Sequence, residues 1–397
     1  MFKKKLYTFL LALYTYFLLL STFSLFKERL LPQYQDELFQ QSNTLLCSTR
    51  NRFNYEQLGN STTRYSPFSV KKTANYVPKY FIAANFYNNQ DVLPHLLTEL
   101  LSVIDFLGNE NVFVSIYENA SSDYTRQILT TFELQLSQRK IEHKVVFGKL
   151  GKPLYYHRID YLSKIRNKAL SPLYSLYKKK VLFKKIVFLN DIYFCKNDIL
   201  ELIYQSDFQQ SDVTCGLDLD FDGDSEDHGI SFRDTWVARD ISGYPFNKTL
   251  SEMVYHKETF KRFSNNLPFQ VQCCWNGVAI LNAAPFYLHP SLKFRRSDTK
   301  SKECSASECS LFCNDLWDKN YKKFVVVPRV RVAYSVSEFK ELDKFYNYNQ
   351  IPSPKEELVT YIDGPERVAC KALDEYNEKK PSDDLQWVKY AKNTKLV

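Results

Sequence analysis

Residues Val112–Thr125 read Val-Phe-Val-Ser-Ile-Tyr-Glu-Asn-Ala-Ser-Ser-Asp-Tyr-Thr. The run from Val112 to Tyr117 is mostly β-branched and aromatic, carries no charge, and stops at a carboxylate, Glu118. That is the composition of a buried strand. Ser122 and Asp123 then offer side-chain oxygens to the free N–H groups of a helix start, and apolar residues return at helical spacing from Asp123 to Leu136. A strand that turns directly into a helix is half of a βαβ unit. The same alternation extends both ways. Upstream lie a strand at Phe81–Phe86 and a helix at Leu93–Leu107, with Pro94 in its first turn. Downstream come a short strand at Lys144–Phe147, a basic helix from His157 to about Tyr177, and a strand at Lys185–Leu189. The pattern predicts an α/β domain, a mostly parallel sheet with helices on both faces. Ligands of such sheets gather at the carboxyl ends of the strands. Beyond Asn190 the alternation loosens, and Asp218–Phe246 reads as an acidic, aromatic loop region.

Composition narrows the function. The chain is 44% hydrophobic and 25% charged, which fits a globular protein and excludes wholesale disorder. It has only 10 glycines and neither a G-x-G-x-x-G nor a Walker-type loop, so a nucleotide would have to be held by side chains or a metal. The net charge of +8 is scattered in short clusters such as Lys178–Lys180, with no nucleic-acid motif; it suits an anionic substrate.

At the N-terminus, Lys3-Lys4-Lys5 precedes an uncharged run, Leu6–Phe26, long enough to cross a bilayer and lacking a small-residue cleavage site. The lysines predict a cytosolic N-terminus and a lumenal remainder. The chain thus divides into a cytosolic tail (1–5), a signal-anchor transmembrane helix (6–26), a polar stem (27–78), a catalytic domain (79–340) and a peripheral C-terminal tail (341–397). Asn60 and Asn247 are glycosylation candidates, whereas the sequon at Asn119 falls in a motif expected to be buried. Nine cysteines in an oxidising lumen predict disulfides drawn from Cys273/Cys274 and Cys304/Cys309/Cys313. The odd total leaves one over, and Cys47 in the stem is the expected one.

Six motifs carry candidate chemistry. Glu118–Thr125 resembles the D-D-G-S-x-D-x-T turn of nucleotide-sugar glycosyltransferases with the GT-A fold, which makes Glu118 a candidate for base or ribose contacts. Arg166-Asn167 is similar to a pair that faces the nucleotide in those enzymes, where a guanidinium grips two oxygens at once. Phe188-Leu189-Asn190-Asp191 is a strand ending in a carboxylate, where GT-A enzymes place an Asp-x-Asp holding Mn²⁺ or Mg²⁺ against the diphosphate. Here Leu189 replaces the first aspartate, which leaves Asp191 as the candidate catalytic residue and metal ligand. Asp218-Leu219-Asp220 is the rival, since carboxylates two apart on an extended segment share a side; otherwise both serve the acceptor. Trp275-Asn276 suits a sugar, with the indole on a pyranose face and the amide on hydroxyls. Glu308 opens the helix Glu308-Cys309-Ser310-Leu311-Phe312-Cys313 as a second candidate catalytic carboxylate, contacting sugar or acceptor.

Together with Asn85-Phe86-Tyr87-Asn88-Asn89, a candidate donor-binding segment through Asn85, these motifs occur in one order between Tyr80 and Tyr334. The chain resembles the fungal capsule-associated α-1,3-mannosyltransferase family first described in Cryptococcus. The resemblance implies a GT-A-like fold in a type II Golgi membrane enzyme, with the ER as the other compartment. It further implies transfer of mannose from GDP-mannose to a mannoside or glycan acceptor, with retention and Mn²⁺ or Mg²⁺. Homo-oligomerisation is compatible with it. Two alternatives stay open at this point: a hexosyltransferase using another donor such as a UDP-sugar, and a non-catalytic lumenal glycan-binding or scaffold subunit, for which Leu189 is the argument.

Overall fold

Strand β1 (Tyr80–Phe86) pairs in parallel with β2 (Val112–Glu118) on one side and β4 (Lys185–Leu189) on the other. These are the segments whose unbroken apolar runs give strands buried on both faces. The computed structural model describes residues 46–47, 80–149, 151, 153, 156–221, 229–342, 354–373 and 381–396. In it β3 (Glu142–Phe147) extends the parallel set beyond β2. The connecting helices are α1 (Leu93–Leu107), α2 (Thr125–Gln138) and α3 (Arg158–Lys178), within two residues of the expected bounds, as is the start of β3. Leu6–Phe26 and Asn60 lie outside the described residues. Among the described residues, no helix is long and apolar enough to cross a membrane.

The second half changes the sheet. After α4 (Lys196–Phe208) come β5 (Val213–Phe221), β6 (Ile230–Phe232), β7 (Arg239–Asp240), α5 (Lys257–Ser264), β8 (Phe269–Cys273), β9 (Val278–Asn282), α6 (Glu308–Asp318) and β10 (Phe324–Val332). The strand order is β3-β2-β1-β4-β9-β5-β10-β8-β7, with β6 on β5. Because β9 runs antiparallel between β4 and β5, and β8 antiparallel beside β10, the sheet is mixed rather than mostly parallel. The expectation missed this because β8 and β9 are two short strands with no helix between them, so they carry no βαβ signature. Asp218-Leu219-Asp220, expected in a loop region, lies within β5.

Register decides what meets at the catalytic edge. Ala84 pairs with Leu189 and Phe86 with Glu118, so β1, β2 and β4 end together. β9 starts where β4 stops, with Leu189 opposite Val278, which brings Trp275-Asn276-Gly277 to that edge from the opposite chain direction. β10 pairs in parallel with β5, Val332 opposite Asp218, so Tyr334 arrives there too. Gly277 sits at φ +77°, and a Cβ there would stand 2.9 Å from Ile192 and 3.3 Å from Val332, so glycine lets this turn close over the strand ends. Leu189 is fully buried, which makes that position core rather than ligand.

After α7 (Val336–Leu342), the chain holds α8 (Pro354–Glu357) and a hairpin of β11 (Val368–Leu373) and β12 (Pro381–Val388). This part is fastened to the domain. Glu357 and Glu201, both fully buried, pair with Arg329 of β10, and Cys370 is bonded to Cys304. The other disulfides are Cys47–Cys195, Cys215–Cys274 and Cys273–Cys313. Both expected clusters therefore contribute. Cys47 is bonded, however, and the free thiol is the buried Cys309.

Candidate active site

Asn190, the first residue past β4, is the hub. Its backbone N–H donates to the Gly277 carbonyl at 2.9 Å, which fixes the side chain outward. Its Oδ1 accepts from Arg166 Nη1 at 3.3 Å and from Trp275 Nε1 at 3.2 Å, while its Nδ2 donates to the Tyr334 hydroxyl at 3.1 Å. Arg166, on α3, also donates through Nε to Glu308 Oε1 at 3.0 Å. Its guanidinium lies 4.7 Å from the Trp275 ring, 5.3 Å from Phe188 and 5.5 Å from Phe294. Burial opposes the charge on Arg166, but nearby Cys309 and Glu308 hold its proton above the ordinary range. This is a desolvated, oriented cation, the kind of group that gains electrostatic strength where water is excluded.

Asp191 is positioned from two loops. Asn88 N–H donates to Ser121 Oγ, Asn89 N–H to Thr125 Oγ1, and Gln90 N–H to Asp123 Oδ2, so the turns after β1 and β2 are stitched together. Asp123 also accepts from Thr125 N–H, the cap expected there. Held this way, with its Oδ1 accepting from Tyr87 N–H, Asn89 gives its Nδ2 to Asp191 Oδ2 at 2.7 Å. Burial raises the proton affinity of Asp191; its own backbone N–H, Asn89, Arg166 and Arg233 oppose this. Asn85, Tyr87, Asn89, Asn119, Arg166, Asn190 and Asp191 line a cavity of about 190 Å³, and the buried Asn85 Oδ1 has no partner.

Beside Tyr334 lies a second acidic group. Asp218 is buried, its Oδ1 has no partner, and burial followed by the charge of Asp234 pushes its carboxyl well above the usual range. Asp234 is pushed up to about 7, first by burial, although it accepts from the Val237 and Asn276 N–H groups. The Tyr334 phenol is raised by burial, then by Asp218, Asp191 and Asp234. One hydroxyl thus senses both acidic groups. Two acidic groups that both favour a proton, Asp218 partly because of Asp234, are a natural place for a cation. Among the described residues, the grouping of three ligand atoms within 4.8 Å of one another is Cys47, Glu99 and Cys195, whose sulfurs are bonded together; no such triple forms from the aspartates.

A family model described as Cryptococcal mannosyltransferase 1 matches residues 79–315, more than half of the chain. An alpha-1,3-mannosyltransferase of Cryptococcus neoformans is 30% identical over 343 residues, which cover 80% of this chain and 69% of that one. The chain belongs to the cryptococcal mannosyltransferase 1 family. As a member it is a glycosyltransferase. Among solved structures, S. aureus TarS in complex with UDP is 16% identical, covering 70% of this chain and 68% of that one at a TM-score of 0.38. Mannosyltransferase PcManGT from Pyrobaculum calidifontis in complex with GDP-Man and Mn²⁺ is 9% identical, covering 74% and 73% at 0.37. Overlaps this loose do not bear on the assignment.

Within the family domain, the structure brings Asn85, Arg166, Asp191, Trp275 and Glu308 together and directs others elsewhere. Glu118 is fully buried, with its oxygens accepting from Ser121 N–H and Arg126, so it holds the β2 turn and does not line the cavity. Both amide atoms of Asn167 are bonded to the Phe294 backbone. Asn276 is buried at φ +49° and donates to the Gly216 carbonyl. Trp275 is 2% exposed beneath Arg166, so its ring serves that cation rather than an open sugar platform. Asp220 pairs with Arg233 at the rim. Asn247 is exposed, while Asn119 is buried and accepts from Tyr161. The sequence reading missed Arg233, Asp234 and Tyr334. The signal lay in Arg233-Asp234 following a short apolar run, and in Tyr334 ending the last long strand. A larger cavity of about 520 Å³, between α6 and the β11–β12 hairpin, shares no lining residue with the site.

Proposed function

We propose that the chain transfers mannose from GDP-mannose to a mannoside or glycan acceptor, with retention, as a type II membrane enzyme of the Golgi lumen. Family membership already makes it an enzyme rather than a scaffold. The observation that carries the proposal is the grouping of Asp191, Asn190 and Arg166 beside the cavity, with Asp218 and Asp234 across Tyr334. Nucleotide-sugar chemistry needs that combination: a pocket at the strand ends, and charges that meet a diphosphate.

The residues fit a divalent cation. Asp218 Oδ1 is buried without a partner, the donors are hard carboxylate oxygens, and Mg²⁺-type sites take one or two carboxylates plus substrate phosphates. Asp191 is the proposed ligand, and the Asp218–Asp234 pair is the second place for it. When bound, such an ion offsets charge growing on the departing diphosphate. Asn89 orients Asp191, and Asn190 holds Arg166 and Tyr334 at fixed positions. With retention, the departing phosphate itself accepts the acceptor proton, so no dedicated base is required. The lumenal address rests on Leu6–Phe26, its preceding lysines and the four disulfides.

A donor screen tests this reading. The full chain in detergent with Mn²⁺ is expected to cleave GDP-mannose, and excess GDP to inhibit it far more than UDP. Cleavage of UDP-hexoses with GDP-mannose untouched would transfer the assignment to another hexosyltransferase.

A further inference from the structure

The site is crowded with negative charge. Asp191, Asp218, Asp220, Asp234 and Glu308 converge on the edge, and two guanidinium groups, Arg166 and Arg233, act on Asp191. A nucleoside diphosphate adds more negative charge, which a cationic side chain can meet alongside a metal. Arg166 is poorly free to do so. Its Nε and Nη1 are spent on Glu308 and Asn190, its faces are covered by rings, and breaking its pair would leave Glu308 buried and uncompensated.

Arg233 is placed differently. It follows β6, its backbone N–H donating to the Asp218 carbonyl at 3.1 Å, and its guanidinium lies 4.3 Å from the face of Tyr334. Its carboxylate partner is Asp220, one residue short of the end of β5; the two side chains are 41% and 31% exposed. An ion pair that open to water contributes little and exchanges readily. A guanidinium–phosphate fork is about twice as strong as a neutral hydrogen bond. Asp220, once released, is already partly solvated, so the exchange strands no buried charge. Tyr334 provides the pivot, since its ring holds the guanidinium while its hydroxyl is tied to Asn190 beside Asp191.

Resting on the donor reading above, we propose that Arg233 is the diphosphate-binding residue of this site, and that Asp220 is a latch holding it aside until the nucleotide enters. Arg233 swings from Asp220 onto the diphosphate, pivoting on Tyr334, and meets the charge that the leaving group retains. Asp220 is then a competitor of the donor rather than a ligand of it.

Calorimetric titration of the full chain in detergent with GDP, UDP and guanosine, in Mn²⁺, tests the proposal. Arg233→Gln is expected to weaken binding of the preferred diphosphate by about 10- to 100-fold, to leave guanosine binding unchanged, and to be partly rescued by Arg233→Lys. Asp220→Ala is expected to tighten diphosphate binding severalfold. Melting temperatures near wild type confirm that the variants fold. Diphosphate affinity of Arg233→Gln within twofold of wild type overturns the clamp and leaves the donor reading standing. Weakening by Asp220→Ala as large as that by Arg233→Gln overturns the latch. Failure of the wild type to bind either diphosphate overturns the donor reading and the clamp together.

Discussion

Asp218 and Asp234 are the residues whose chemistry conflicts most with their surroundings. Burial raises both; the charge of Asp234 then adds to Asp218, and that of Glu308 adds to Asp234. A carboxyl whose folded pKa is raised stabilises the fold below its unfolded value, near 3.8, and loses that contribution as pH rises through about 7. Asp234→Asn is fixed in the neutral state, so without metal its melting temperature should exceed that of wild type by more at pH 8 than at pH 5. Mn²⁺ should narrow the gap at pH 8 by stabilising the ionised wild type. A gap that is equal at both pH values contradicts the raised proton affinity of Asp234. At this scale Asp191 and Glu308 were legible in sequence because one follows a strand end and the other opens a helix, and Arg166 because of the Arg166-Asn167 pair within its helix. Arg233, Asp234 and Tyr334 were not, because their meeting depends on which strands are neighbours. Glu118, Asn167 and Asn276 have the right residue types, but backbone groups claim their polar atoms, for Asn167 and Asn276 from segments distant in sequence.

Among the elements, β1 to β4 and their helices follow from local patterns, with apolar runs for the strands and helical spacing between them. The strands that complete the site are β9 and β10, and their positions depend on long-range pairing that no local window contains. The C-terminal hairpin is charged in sequence, so its attachment is also hidden; a disulfide and hydrogen bonds from Arg239 and Trp236 to the Ala369 and Lys371 carbonyls supply it. Cys304 and Cys370 are 66 residues apart. Replacing both by Ser should destabilise the protein by about 2–4 kcal/mol, read as a lower melting temperature, since the unfolded chain regains the entropy the loop removed. No change in melting temperature would mean that the hydrogen bonds to Ala369, Lys371 and Leu373 hold the hairpin without the disulfide. The Cys47–Cys195 bond likewise means that a fragment starting near Tyr76 would leave Cys195 unpaired, so the full chain is the proper material.

The molecule as a whole is built on a mixed sheet whose strand ends bring widely separated segments to one edge, in a family of glycosyltransferases. The fold class was readable because half of it alternates regularly. The site was readable only in part, because the antiparallel β9 delivers Trp275 to Gly277 against the direction of its neighbours. The central claim is that this edge performs cation-assisted mannose transfer, with Asp191 at its centre. The most direct measurement is transfer of labelled mannose from GDP-mannose to a mannoside by the full chain in detergent, comparing wild type, Asp191→Asn and Asp218→Asn with Mn²⁺ and with chelator. Wild type should transfer only when Mn²⁺ is present. Asp191→Asn should lose about 10²–10³-fold in turnover, about 3–4 kcal/mol of transition-state stabilisation, with its melting temperature nearly unchanged. Near-normal Mn²⁺-dependent transfer by Asp191→Asn beside a dead Asp218→Asn would contradict the central role of Asp191 and move the cation to the Asp218–Asp234 pair.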